Sequence, residues 1–243
     1  MQYGQRGMRV KRVQEWLTFH GFATVIDSDF GPATRTCVRR FQAENGSADS
    51  GIVDEATWNA MIVPLTNVLA PIAPAAGDTL PSMLLKYADQ HLIQHPVELG
   101  GENSGVWVRI YMNGNEGSEW FWCAGFATFI MKQACQALDL PMPIQGSFSC
   151  DSLAYQAQMA GLFVPGKDIE QGIIDTASLG AAQMFLVRRT STDWTHTGFS
   201  FSWDDHTFST IEGNTNDEGS SNGYEVCERY RSIKDKDFII FVE

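Results

Sequence analysis

Near the start of the chain, Val10, Val13 and Leu17 recur at helical spacing with Trp16 beside them, and Gly21 follows as a stop. A second stripe, Thr34, Cys37, Val38 and Phe41, comes after the turn Asp29-Phe30-Gly31-Pro32. A third short helix is predicted from Asp54, which can cap the free amides of Glu55-Ala56-Thr57-Trp58-Asn59. Roughly 60 residues bury a limited core, so this unit reads as a recognition module and not as a site of chemistry. The pattern then breaks. From Val63 to Pro81 the chain reads VPLTNVLAPIAPAAGDTLP, with prolines at Pro64, Pro71, Pro74 and Pro81. Proline stiffens such a segment and removes backbone donors, which predicts a linker over 65–81 between a first unit, 1–64, and a second, 82–243. The apolar Val68, Leu69 and Ile72 leave a packed arm as the other reading.

Beyond the break, Met83, Leu84, Tyr87, Ala88 and Leu92 form an amphipathic helical stripe that Pro96 ends. A glycine-rich turn occupies 98–105. Phe126, Ile130 and Ala134 predict a helix from Ala124 to Leu138, with Cys123 at its head. The β-prone run Trp194–Phe201 predicts a strand, Asp204-Asp205 a turn, and Thr207–Glu212 the returning strand. Partial alternation at Glu225–Tyr230 and the apolar Phe238–Val242 add two more, the last expected to close the sheet. The fold class expected is α+β.

Charge sharpens the division. The net charge is −12, yet residues 1–65 hold seven basic and seven acidic residues, and the second unit carries the whole excess. An acidic second unit repels polyanions, so nucleic acid is not expected as a partner. No run of about 18 apolar residues could cross a bilayer. The start, Met1-Gln2-Tyr3-Gly4-Gln5-Arg6-Gly7, lacks the apolar core of a secretory signal, so export by that route is not expected. Five cysteines are too few for a disulfide scaffold, and with no Cys-x-x-Cys pair a structural zinc site is not expected. Cys135 and Cys150 read as buried thiols or a pair, and Cys227 belongs to the terminal strand region.

One cysteine has a position suited to chemistry. At a helix head, free N–H groups and the helix dipole favour thiolate over thiol at Cys123. Of the five histidines, His20 lies in the first module, His91 and His95 sit on or at the end of what reads as a surface helix, and His206 falls in a turn. His196, on a strand, is the favoured base. A base needs an orienting group, and Glu212 or Asn214 can supply it; a hairpin at Asp204-Asp205 brings Glu212 across from His196.

Two resemblances follow from these residues. Gly4-Gln5-Arg6-Gly7, Val10, Val13-Gln14, Leu17, Gly21, Asp29-Phe30-Gly31, Thr34, Phe41-Gln42, Gly51-Ile52-Val53-Asp54 and Thr57-Trp58 resemble the peptidoglycan-binding type 1 domain. That implies a three-helix module docking bacterial peptidoglycan. The ordered set Trp122-Cys123-Ala124, His196-Thr197-Gly198 and Glu212-Gly213-Asn214 resembles the CHAP family of papain-like cysteine amidases and peptidases. It implies helices packed on an antiparallel sheet, with Cys123 as nucleophile, His196 as general base and then acid, Glu212 as orienter and Asn214 as an accessory polar group.

The implied activity is hydrolysis of a peptidoglycan amide, either N-acetylmuramoyl-L-alanine or a stem or cross-bridge peptide bond, by an endolysin-like protein. Such a protein reaches the wall after cell lysis or through a secretion machine. The alternative is a non-catalytic wall-binding protein with a papain-like scaffold. Trp122 stands where some papain-like relatives place an oxyanion-donating Gln, which leaves the backbone amide of Cys123 as the donor. Some CHAP endolysins bind calcium before the cysteine; here Asn113, Asn115, Glu116 and Glu119 lack the alternation of carboxylates such a site uses, and no cofactor is expected. Trp120 and Trp122 are the candidate substrate-binding residues, and Phe121, Phe148 and Trp194 could line the same cleft.

Overall fold

The computed structural model describes residues 1–204, 206–216 and 222–241. The first module holds the expected three helices, α1 (Met8–Phe19), α2 (Pro32–Glu44) and α3 (Glu55–Met61). Their apolar stripes close on one another through Val10, Val13, Leu17, Phe30, Val38, Phe41 and Met61, all buried. Asp54 caps α3 by accepting from the Thr57 N–H at 2.8 Å.

Two buried amides hold the loops. Gln14 Nε2 donates to Asp27 Oδ1, the Asp29 carbonyl and Thr34 Oγ1, while its Oε1 accepts from Ser28 N–H. Gln42 repeats the device on α2, donating to the Ile52 carbonyl and Thr57 Oγ1 and accepting from Gly51 N–H. A buried amide with its donors and acceptor satisfied fixes a loop that an apolar residue would leave unanchored.

The connecting segment is packed rather than free. Its first residues form α4 (Val63–Leu69), with Val68 fully buried. It is tied to α5 (Leu80–Gln94) and α7 (Cys123–Ala137) by hydrogen bonds that include Ile72 N–H to Tyr87 Oη at 3.0 Å, Gln90 Nε2 to the Ala70 carbonyl at 3.0 Å, Asn67 Nδ2 to Gln94 Oε1 at 3.1 Å and Gln133 Nε2 to the Val68 carbonyl at 2.7 Å. The packed-arm reading describes this segment, because its apolar residues have a helix surface to cover. The first module also docks directly on α6 (Val106–Tyr111): Trp16 meets Trp107 edge to face at 5.5 Å, and Glu15, buried on α1, receives both terminal nitrogens of Arg109.

After α7 come α8 (Cys150–Met159), β1 (Phe163–Pro165), the short α9 (Gly166–Glu170) and a 3₁₀ turn at Thr176–Ser178. The remaining strands are β2 (Gln183–Thr190), β3 (Asp193–Phe201), β4 (Thr207–Thr215), β5 (Glu225–Ser232) and β6 (Lys236–Ile239). They form an antiparallel six-stranded sheet in the order β1-β6-β2-β3-β4-β5. With the helical module before it, the architecture is α+β. Helices α5, α7 and α8 pack against β3, and β3 is buried through five successive residues from His196 to Ser200 because the sheet is covered on both sides. Phe185, Phe208 and Phe238 form a second cluster apart from the main core.

Three expectations are refined. The apolar C-terminal run forms β6 inside the sheet, between β1 and β2, and Val242 lies outside the described residues, as does Asp205 of the expected turn. His91 is not a solvated surface histidine: it is fully buried, with Nδ1 on Tyr111 Oη at 2.8 Å and Nε2 on Gln133 Oε1 at 3.0 Å. Burial pushes its pKa down to about 4, so the neutral ring serves as a structural link between α5, α6 and α7. Finally, β4 does not end at Glu212; it runs on to Thr215 through a bulge at which Asn214 adopts φ 57°.

Candidate active site

Cys123 is the first residue of α7, and its preceding residue, Trp122, caps the helix without a side-chain hydrogen bond. The N–H groups of the first turn have no partner within the helix and present positive charge to the sulfur. His196 comes from β3 and Glu212 from β4, which pair antiparallel with Phe199 opposite Ile211. That register carries the two side chains together: His196 Nε2 is 2.8 Å from Glu212 Oε2, with both side chains fully buried. Nε2 is thus committed to the carboxylate. Nδ1, buried and without a hydrogen-bond partner of its own, is the nitrogen left for Cys123.

The charges agree with this division. Cys123 is held well below the ordinary thiol range, first by the Cys150 thiol 3.9 Å away, then, against the opposing effect of burial, by the His196 imidazolium and the Thr197 backbone N–H. For His196, burial acts to lower the pKa, but the Cys123 thiolate and the Glu212 carboxylate together push it up to about 9. Both shifts run in the direction that favours a thiolate–imidazolium pair. Glu212 is kept ionised despite burial by Arg231, whose Nη2 donates to Oε2 at 2.6 Å and whose Nε donates to Oε1, and by the His196 ring. Thr210 Oγ1 donates to the same carboxylate.

The small residues beside the charged ones have a steric reason. A Cβ on Gly198 would lie 2.7 Å from the Ile211 carbonyl and 2.9 Å from Glu212 Cγ; on Gly213 it would lie 2.8 Å from Phe126 and Trp122. Glycine at these points lets the strands and the head of α7 approach closely enough for the three charged groups to meet. Asn214 makes no hydrogen bond to His196. In the amide orientation that satisfies both ends, its oxygen accepts from the Trp122 N–H at 3.1 Å and its nitrogen donates to the Gly223 carbonyl at 2.6 Å. It is a positioning residue, pinning the peptide that leads into Cys123 to the bulge of β4.

Trp122 is fully buried, stacked 5.5 Å from Tyr111, and its Nε1 donates to Glu98 Oε1 at 2.9 Å. Its indole is core, not a surface for substrate. Trp194 is likewise buried, donating to Asp237. Trp120 is half-buried against Phe148, and exposed Phe121 and Phe148 complete the aromatic surface flanking the two cysteines in sequence. Glu116 does not suit a calcium ion: it is engaged by Lys11, Arg109 and the Gly105 N–H. Sequence reasoning missed Cys150 and Arg231 as members of the site.

A thiolate held by its surroundings has a measurable signature. Alkylation of Cys123 by iodoacetamide should stay fast well below the range near 8.5 where a free cysteine loses its proton. His196→Ala should move the inflection upward, because the cation that favours the thiolate is gone. An inflection unmoved by that change would remove His196 from the pair.

Residues 6–61 match the family model described as "Putative peptidoglycan binding domain". No curated protein and no solved structure matches the chain. The matched residues span α1 through α3, and they mark the N-terminal module as a peptidoglycan-binding domain.

Proposed function

We propose that the protein is a peptidoglycan hydrolase of the papain-like CHAP type, in which the N-terminal module holds the wall and Cys123 cleaves an amide in it. The observation carrying this reading is the buried line Cys123–His196–Glu212, with His196 Nε2 2.8 Å from Glu212 Oε2 and surroundings that favour thiolate, imidazolium and carboxylate. Structural cores avoid buried charge unless it is paired, and this arrangement keeps a polarised sulfur at the head of a helix. The thiolate attacks the amide carbonyl carbon, and the oxyanion forms against the free N–H groups at the start of α7. His196 then gives its Nδ1 proton to the leaving amine while Glu212 holds the ring through Nε2. The resulting thioester is released by water that His196, now neutral, deprotonates. Each cut liberates one amino group and one carboxylate.

The direct test is to incubate the purified protein with insoluble peptidoglycan and follow new amino groups, with mass spectrometry of the soluble fragments to identify the bond. Released amines that disappear when the protein is first treated with iodoacetamide support the reading. Wall binding with no amine release at any pH from 5 to 10 overturns it.

A further inference from the structure

Besides the nucleophile, the site holds a second thiol that takes no part in the bond-making steps of the hydrolytic reading. Cys150 is the first residue of α8, as Cys123 is of α7, so two helix heads face each other with Sγ atoms 3.9 Å apart and no disulfide between them. A disulfide bond is about 2.03–2.05 Å long, so closure needs the two sulfurs to approach by roughly 2 Å, to which rotation about the two Cα–Cβ bonds contributes. Cys135 is buried and makes no comparable contact with another described thiol, whereas Cys123 and Cys150 form a sulfur–sulfur contact. We infer that Cys123 and Cys150 form a reversible oxidation site, in which Cys150 is the resolving thiol that captures the oxidised nucleophile as an intramolecular disulfide.

The oxidant is hydrogen peroxide. The Cys123 thiolate attacks one peroxide oxygen and the O–O bond breaks, giving Cys123–SOH and hydroxide, which takes the His196 proton to become water. The Cys150 sulfur then attacks Cys123 Sγ. The S–O bond breaks, the hydroxyl leaves with the Cys150 proton as a second water, and the S–S bond remains. Two thiols have lost two electrons and the peroxide has gained them. A dithiol reverses the bond by two exchange steps. The consequence is protection: an unaided sulfenic acid proceeds to the irreversible sulfinic state, while the disulfide holds the nucleophile in a recoverable form. Loss of activity on oxidation rests on the hydrolase reading; the cross-link itself does not.

The test treats the whole protein with hydrogen peroxide and counts thiols under denaturing conditions, followed by non-reducing peptide mapping. The expected result is a fall from the five cysteines of the sequence to three free thiols, loss of two hydrogens in intact mass, and one linked peptide pair containing Cys123 and Cys150. Dithiothreitol should restore all five. Cys150→Ser should oxidise at Cys123 without a link and should not recover with dithiothreitol after prolonged exposure. Retention of five thiols, or linkage of Cys150 to another cysteine, overturns the inference on the wild-type protein alone. The two readings fail separately: a Cys123–Cys150 link in a protein that releases no amines defeats only the hydrolase, and amine release with no link defeats only the oxidation site.

Discussion

Cys123→Ala should reduce amine release from peptidoglycan to background, a loss on the order of 10⁶-fold, because the members of a nucleophile–base unit act together. Alanine is smaller than cysteine and leaves the head of α7 otherwise intact, so the near-ultraviolet circular dichroism should not change. Glu212→Gln should leave a residual rate about 10²–10⁴-fold below wild type, since the sulfur remains while the imidazole loses the group that orients and charges it. The pH profile gives the sign. The proposed mechanism needs Cys123 deprotonated and His196 protonated, so activity should rise as pH passes the lowered thiol pKa and fall as pH rises through about 9, where His196 gives up its proton. Removing the Glu212 carboxylate lowers the His196 pKa and draws the alkaline limb toward neutrality. An alkaline limb left at about 9 in Glu212→Gln would mean that this carboxylate does not set the state of the ring.

The positions of Cys123 and His196 in the fold were legible from local pattern, whereas local pattern left Glu212 and Asn214 open and the family resemblance chose between them. A helix stripe places Cys123 at a helix head, a β-prone run places His196 on a strand, and a hairpin folds Glu212 back onto the neighbouring strand, diagonal to His196. The groups around them depend on distant parts of the chain. Cys150 reaches Cys123 only because two helices meet head to head, and no periodicity records that meeting. Arg231 sits on β5, where polar and half-exposed residues alternate as on any strand near a sheet edge, yet it neutralises the buried Glu212. Trp122 shows the opposite difficulty: an aromatic side chain beside a nucleophile fits a cleft as well as a core, and the partner that decides is Glu98, earlier in the chain by 24 residues. The prolines of the connecting segment predict a linker from composition, but the apolar Val68 among them packs it down.

The docking of the two units yields the largest stability effect. Arg109→Ala should destabilise the protein by about 3 kcal/mol, since it strands Glu15, whose side chain is fully buried, with only Lys11 at 3.8 Å to balance it. For a chain of this length that corresponds to a fall in melting temperature of about 6–12 °C. The double variant Glu15→Met/Arg109→Met should recover most of the loss, because breaking a buried pair is costly chiefly through the charge left behind, and an apolar replacement of both removes that charge. A melting temperature within about 2 °C of wild type for Arg109→Ala would show that the interface contributes nothing to folding. Function supplies a second reading of the same variant. Trp16 and Trp107 pack at this interface, so its integrity fixes where the wall-binding module points relative to Cys123. On the proposed hydrolase reading, loss of that fixed geometry should lower amine release from insoluble peptidoglycan more than release from a short soluble fragment, which engages only the unit that carries Cys123. Equal losses on both substrates would mean that the first module acts as a loose tether, raising local concentration without setting direction.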